Sequence, residues 1–287
     1  MSVNLISYIM FVSTSCLKNP KNVINVLNEY QKGEIKNVEL GSVHEFFDIK
    51  QLKKFDFNYV IHNYFPPPKK PFNLNLSSER KIIRRKSLNL VKNAIDLCCE
   101  INSSLYSFHA GFTVDPIVLG KPFPKNSIID RKIAFDRYLE SILIIIDFAK
   151  SRGIKIAMEP NVVQQFNLID GQNKLCLFAD EDEINQLYKI IDRKDLGLLL
   201  DLGHTSVTAF WLKFDKDKFV KKIQKKVNAI HISYNDGKKD QHKSLKKNCW
   251  QLSQLKFFKS VPIILETMNQ TTEGIKENIN LVDKSIS

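Results

Sequence analysis

The sequence predicts a single α/β domain with the architecture of a (β/α)₈ barrel. Eight short apolar segments rich in β-branched residues alternate with helical patterns along 287 residues. This alternation is typical of parallel strands joined by helices. The segments are apolar throughout, as expected of strands buried on both faces. No GxGxxG motif follows any of them, which disfavours the alternative of a doubly wound open sheet.

The predicted elements follow one another regularly. The strands are expected at 4–12, 37–41, 57–62, 105–109, 154–159, 196–201, 227–232 and 262–266. Helical patterns lie near 20–31, 80–101, 131–151, 180–191, 215–225, 250–258 and 272–284. The second helix is the clearest, because Ile83, Leu90 and Ala94 recur on one face and Ser78 is a candidate cap. No repeat or linker divides the chain, so we expect one barrel domain over residues 1–287.

Composition indicates a globular protein that does not span a membrane. Hydrophobic residues make up 43% and charged residues 26% of the chain, and no apolar run approaches the roughly 20 residues of a membrane span. The first 16 residues lack a basic start and a cleavage site, so they predict a buried strand rather than a signal peptide. The five cysteines form no CxxC pair, which predicts reduced thiols in a cytoplasmic protein.

The formal net charge of +12 comes mainly from lysine. Only seven of the 43 basic residues are arginine, the residue best suited to bidentate recognition of phosphate. The charge therefore supports an anionic substrate weakly and leaves a nucleic acid partner open.

Three long connections each follow a predicted strand. They span residues 63–79, 110–130 and 160–179, and the first two are rich in proline. A barrel places such connections at its C-terminal mouth, where they form substrate walls or lids.

Side chains that can bind a metal stand at the ends of six predicted strands. They are His62, His109, Glu159, Asp201 with the following His204, His231 and Glu266. Because the carboxyl ends of barrel strands meet at one mouth, we expect these side chains to converge. Asp240 and His242 are one residue apart in the segment 229–245, so in extended backbone both face one target.

Each of these residues alone has a structural explanation. A histidine that closes a strand is more often hydrogen-bonded than a ligand, and a glutamate can pair with a lysine. Yet all six histidines close or follow a predicted strand, and none lies in a predicted helix. Buried carboxylates are costly unless they are paired or bind a cation, so the coincidence favours a divalent metal. His44 is the weakest candidate, and we interpret it as a structural or substrate-contacting residue.

Six segments contain these residues: VIHNYFPPPKKPFNLNLSS, YSFHAGF, IAMEPN, LLLDLGHTSVTA, HISYNDGKKDQH and PIILETMN. They resemble motifs of the xylose isomerase-like TIM barrel superfamily, and the resemblance covers nearly the whole chain. In the third segment Pro160 replaces the more usual asparagine. This superfamily contains sugar and sugar-phosphate isomerases and epimerases together with endonuclease IV-type AP endonucleases.

The resemblance implies two sets of metal ligands. By resemblance to the single-metal isomerases and epimerases, the first set has four ligands: Glu159, Asp201, His231 and Glu266. The trinuclear zinc nucleases add five more, which are His62, His109, His204, Asp240 and His242. A suitable ligand type is present at all nine positions. We expect one divalent ion (Mn, Zn, Mg or Co) in the first case and up to three in the second.

The first functional hypothesis is isomerisation or epimerisation of a small sugar or sugar phosphate. One ion would polarise a carbonyl and stabilise an enediolate, while Glu159 and Glu266 transfer the proton as acid and base. The residues expected to contact substrate are Asn63, His204, Asp236 and Lys238. A homo-oligomer is compatible with the sequence.

The alternatives are phosphodiester hydrolysis at abasic DNA and a non-catalytic metal-binding barrel. All nine ligands suit the nuclease. However, the loop between Asp236 and Asp240 is short, the third-strand loop holds a proline run, and the first-strand loop lacks a nuclease-like segment. Loops that enter DNA grooves are needed for such an enzyme. A non-catalytic barrel would have no use for a glutamate pair at a complete metal site.

Overall fold

The computed structural model describes residues 8–118, 120–258 and 260–286. Eight parallel strands close into a barrel in which each strand pairs with its neighbours in chain order and the first pairs with the last. The strands are β1 (Met10–Ser13), β2 (Asn37–Leu40), β3 (Asn58–His62), β4 (Leu105–His109), β5 (Lys155–Glu159), β6 (Gly197–Asp201), β7 (Val227–Ile232) and β8 (Ile263–Leu265). The predicted barrel is confirmed. The predicted first strand began at residue 4, and residues 4–7 lie outside the described part.

Eight α-helices surround the barrel in the described residues. They are α1 (Val23–Lys32), α2 (Lys81–Glu100), α3 (Arg131–Lys150), α4 (Glu181–Tyr188), α5 (Leu202–Leu212), α6 (Lys216–Ile223), α7 (Trp250–Gln254) and α8 (Thr272–Ile286). The connection from β2 to β3 has a 3₁₀ helix, Ile49–Lys54. Further 3₁₀ turns lie at Gln165–Asn167, Gln224–Lys226 and Leu255–Phe257, and a small hairpin joins Leu168–Ile169 to Gln172–Asn173.

Helix α5 was absent from the sequence prediction. Its segment LGHTSVTAFWL has no polar face, and eight of its residues are buried. Without an amphipathic stripe the helical period of 3.6 residues leaves no signal.

Side-chain caps define where most helices begin. Asn22, Asp130, Asp180 and Asp215 each accept hydrogen bonds from backbone N–H groups of the first turn, a contribution of about 1 kcal/mol apiece. The predicted cap of α2 is wrong. Arg80 occupies that position without a side-chain cap bond, and the Ser78 hydroxyl, two residues earlier, accepts from the Arg80 backbone N–H and donates to Asp115.

The barrel interior contains one apolar layer below the mouth. Seven strands contribute one side chain each to it: Phe11, Val60, Leu105, Ala157, Leu199, Ala229 and Ile264. A larger apolar cluster fills the space between the strands and the helices.

The described cysteines are all free thiols, as predicted. In the described residues no helix is long and apolar enough to cross a membrane.

Candidate metal centre and active site

The candidate site lies directly above the apolar layer. Side chains alternate in a strand, so the residue two positions after each layer member also points into the barrel. On five strands that residue is a potential metal ligand: His62, Glu159, Asp201, His231 and Glu266. The period of the strands therefore places these side chains together at the mouth.

Glu159 lies at the centre of the cluster and is completely buried. Its Oε2 is 3.3 Å from His62 Nε2 and 3.4 Å from His109 Nδ1, and its Oε1 is 2.8 Å from His204 Nδ1. Burial opposes ionisation of Glu159, but the surrounding imidazoles outweigh burial and hold its pKa well below the ordinary value. Burial lowers the pKa of His62 and His109, and the nearby carboxylates oppose this shift.

His204 joins the central glutamate to the outer part of the cluster. It lies in the first turn of α5, whose N-cap Asp201 accepts a hydrogen bond from the His204 backbone N–H at 2.8 Å. Its Nε2 is 3.3 Å from Asp240 Oδ2 and 3.6 Å from Asp201 Oδ2. Burial works against protonation of the ring, yet these carboxylates raise the pKa of His204 well above its ordinary value.

Asp240 and His242 are in contact with each other, and His242 has a φ of 43° instead of the extended backbone expected from the sequence. His242 Nε2 is 3.2 Å from Asp240 Oδ1, and its Nδ1 is 3.0 Å from the Glu266 carbonyl oxygen. Burial opposes protonation of His242, but Asp240 raises its pKa to about 10. The loop that carries the pair is anchored where Tyr234 and Lys243 exchange backbone hydrogen bonds.

One member of the cluster was missed by sequence reasoning. Glu39 on β2 is 1% exposed, and its Oε2 is 2.7 Å from His231 Nε2. Its only signal was an acidic residue inside a short apolar strand, NVELG, which belongs to none of the six motifs. The other nitrogen of His231, Nδ1, is 3.0 Å from Glu266 Oε2.

The cluster fits divalent cations. Five buried or largely buried carboxylates meet five imidazoles, and their ligand atoms form overlapping groups that include His62–His109–Glu159, Glu159–Asp201–His231 and His204–Asp240–His242. Within the described part of the chain, several of these atoms have no hydrogen-bond partner of normal geometry: both oxygens of Glu159, Asp201 Oδ2, Asp240 Oδ1, His204 Nδ1 and His231 Nδ1. Buried polar atoms without partners are costly, and a bound cation would satisfy them.

A cavity of about 200 Å³ opens onto this cluster. Of the predicted site residues, seven line it: His62, Asn63, His109, His204, Asp240, His242 and Glu266. Its walls are largely apolar and include Phe112, Phe123 and Phe166, and no Lys or Arg is among the described residues that line it.

Two predicted substrate contacts and one histidine lie elsewhere. Asp236 and Lys238 are exposed on the loop after β7 and do not line the cavity. The Lys238 ammonium lies 5.6 Å from the centre of the Phe210 ring. His44 Nδ1 is 2.6 Å from the Pro20 carbonyl and its Nε2 is 2.6 Å from Thr14 Oγ1, so His44 has a structural role.

The strands form a closed parallel barrel, and carboxylates and imidazoles lie together at its C-terminal mouth. These two features define the class of protein as a TIM barrel with a candidate metal centre. Residues 49–285 match the family model of the xylose isomerase-like TIM barrel. The chain therefore belongs to this family, as its motifs predicted.

Relatives of the chain include both kinds of enzyme. Apurinic-apyrimidinic endonuclease 1 of Plasmodium falciparum (isolate 3D7) is 26% identical over 78% of this chain and 37% of its own length. Fructoselysine 3-epimerase of Shigella flexneri is 24% identical over 68% of this chain and 62% of its own length. The chain thus spans less than two thirds of either relative.

Among solved structures, a D-tagatose 3-epimerase-like protein superimposes with a TM-score of 0.70. The two chains are 18% identical, and the match covers 97% of this chain and 99% of the other. At this level of identity the likeness concerns the fold.

Proposed function

We propose that the protein is a divalent-metal-dependent isomerase or epimerase of a small sugar. The observation that carries the proposal is the cavity of about 200 Å³ above the ligand cluster. It is smaller than the roughly 300–1,000 Å³ of pockets for drug-sized ligands, so it suits a molecule of the size of one sugar ring. Aromatic walls and several amide side chains line it together with Glu266.

The proposed metal ligands are Glu159, Asp201, His231 and Glu266. When bound there, a divalent ion supplies Lewis-acid polarisation of a substrate carbonyl. Further support comes from the unpartnered oxygens of Glu159 and Asp201 and the unpartnered Nδ1 of His231.

Glu266 is the better placed of the two predicted catalytic glutamates. It lines the cavity, and its side chain is 12% exposed. Glu159 is enclosed by three histidines and does not line the cavity. We therefore assign proton abstraction and return to Glu266, and we assign Glu159 mainly to metal binding. One carboxylate that takes and returns a proton on a single face of the substrate is sufficient for isomerisation, whereas epimerisation would need Glu159 as a second acid on the opposite face.

Solvent-deuterium exchange tests this proposal. The metal-loaded protein is incubated in D₂O with a panel of free aldoses and ketoses, their phosphates and reducing disaccharides, and deuterium next to the carbonyl is measured. We expect exchange into at least one free sugar and a loss of 10²–10⁴-fold in the Glu266→Gln variant. Absence of exchange across the panel, or full exchange by the variant, would contradict the proposal.

Phosphodiester hydrolysis at abasic DNA is the second candidate. Two further clusters of possible metal ligands favour it, one that contains His62 and His109 and one that contains Asp240 and His242. Together with the four-ligand set, these clusters could bind three ions. The absence of Lys and Arg from the described cavity lining is against it, because nucleic acid affinity rests on contacts to phosphates. Chelator-sensitive incision of a duplex with one abasic site would favour this candidate over the first.

A further inference from the structure

A second cavity of about 300 Å³ adjoins the catalytic cavity. The two share four lining residues, which are Ser42, Asn63, His109 and Phe112. The second cavity extends away from the ligand cluster along the connection after β3, where Tyr64, Pro71, Phe72, Asn73 and Leu74 form its wall. We call it the side groove. Because the lining is shared, one ligand could occupy both spaces.

Hydrogen bonds hold the wall of the side groove in place. The Phe72 backbone N–H donates to the Tyr64 hydroxyl at 2.6 Å, and the two rings pack edge to face with centroids 5.6 Å apart. Asn73 Nδ2 donates to the Pro116 carbonyl at 2.7 Å, which ties this connection to the one after β4. A wall fixed in this way needs little ordering when a ligand binds.

Asn63 stands at the junction of the two cavities. Its backbone N–H donates to the Ser107 carbonyl at 2.6 Å, and its carbonyl accepts from the Tyr106 hydroxyl at 2.8 Å. Its φ of 49° lies in the left-handed region, which asparagine tolerates better than most residues. The residue is 4% exposed, and its Oδ1 has no hydrogen-bond partner among the described residues. A buried acceptor of this kind is suited to a hydroxyl donor of a ligand.

The chemistry of the side groove indicates an uncharged ring. Its described lining contains aromatic, amide and hydroxyl groups but no Lys, Arg, Asp or Glu. A phosphate placed there would meet no Lys or Arg among the described lining residues, and Arg and Lys are the usual groups that recognise phosphate. Aromatic faces beside a few polar groups are typical of small-molecule sites that bind the apolar faces of a ligand and fix its orientation.

We propose that the side groove is a subsite for the second, uncharged ring of a glycoside or disaccharide whose first ring lies in the catalytic cavity. This inference rests on the proposed function for the position of the first ring. It selects an unphosphorylated two-ring sugar as the substrate class.

Calorimetric titration of the metal-loaded protein with disaccharides and with their constituent monosaccharides tests the subsite. We expect at least one disaccharide to bind tenfold or more tightly than its monosaccharides, and we expect Phe72→Ala to remove most of this ratio. Asn63→Gly should also lower it, since glycine accepts the positive φ while the side-chain acceptor is lost. Lys70→Ala, in the same connection but outside the groove lining, is the control.

The possible outcomes separate this inference from the proposed function. Equal affinities in the wild type, failure of all disaccharides to bind, or an unchanged ratio in both folded variants would overturn the subsite. Exchange of deuterium into free monosaccharides without any disaccharide preference would leave the proposed function standing and refute the subsite alone. A disaccharide preference without deuterium exchange would retain the subsite and refute the isomerase.

Discussion

Glu39 Oε2 lies 2.7 Å from His231 Nε2, although the two residues are 192 positions apart in the chain. Since Glu39 occupies Nε2, the Nδ1 atom of His231 faces Glu266 and lacks a hydrogen-bond partner of normal geometry. A carboxylate on the outer nitrogen of a histidine ligand fixes the ring orientation and its tautomer. Glu39 is therefore a positioning residue for the proposed metal ligand His231.

Replacing Glu39 by glutamine should weaken metal binding. Loss of such an outer carboxylate typically costs about 10–100-fold in metal affinity, because the ring of His231 is no longer held with Nδ1 toward the site. Competition with a chromophoric chelator measures the affinity directly. Glu45→Gln is the control, since Glu45 is exposed and pairs with Lys21 at the surface. Equal affinity in Glu39→Gln and wild type would refute the positioning role.

Metal content should separate one ion from three. We expect one equivalent per chain in the wild type, its retention in Asp240→Asn, and its loss in Asp201→Asn. The physical reason is that Asp201 belongs to the proposed four-ligand set, whereas Asp240 contacts only His204 and His242 within the cluster. Elemental analysis after extensive dialysis provides the measurement. Three equivalents that fall on removal of Asp240 would contradict the single-ion proposal.

Chelation should lower the melting temperature. An ion at about a hundredfold excess over its Kd stabilises a folded protein by about 2.7 kcal/mol, which corresponds to roughly 4–5 °C for a chain of this size. Differential scanning calorimetry with and without EDTA gives the shift. The Asp201→Asn variant should respond little to EDTA, and an equally small response of the wild type would argue against a bound stabilising ion.

His44 should make stability depend on pH. Burial lowers the pKa of His44 from 6.5 to about 4, in spite of its hydrogen bond to Pro20. The unfolded chain then binds the proton more readily, so the stabilisation is complete above pH 6.5 and is lost as the pH falls toward 4. The loss should reach about 3 kcal/mol at pH 4.

Urea unfolding of wild type and His44→Gln at several pH values isolates this contribution, because both proteins contain the same metal ligands. We expect the difference between their free energies of unfolding to shrink as the pH falls from 7 to 4. A difference independent of pH over this range would show that His44 titrates alike in the folded and unfolded states.

The barrel was predictable because its strands carry a strong local signal. Uniformly apolar strands alternate with helices, and polar ligand types stand at the strand ends. The strand period then decides which side chains share the interior, which is why His62, Glu159 and His231 were all found from the sequence. Helix α5 was missed because its burial on all sides removes the amphipathic pattern.

The sequence by itself determined the family, the barrel and the nine candidate ligands, since each depends on residues close together in the chain. Only the tertiary structure decided which of the predicted site residues line the cavity. Glu266 lines the cavity, Glu159 does not, and Lys238 is exposed on the outside. The tertiary structure also identified Glu39, whose partner His231 is distant in sequence. The physical reason is that closure of the barrel brings β2 and β7 side chains together across its interior, and no local pattern in either strand records that contact.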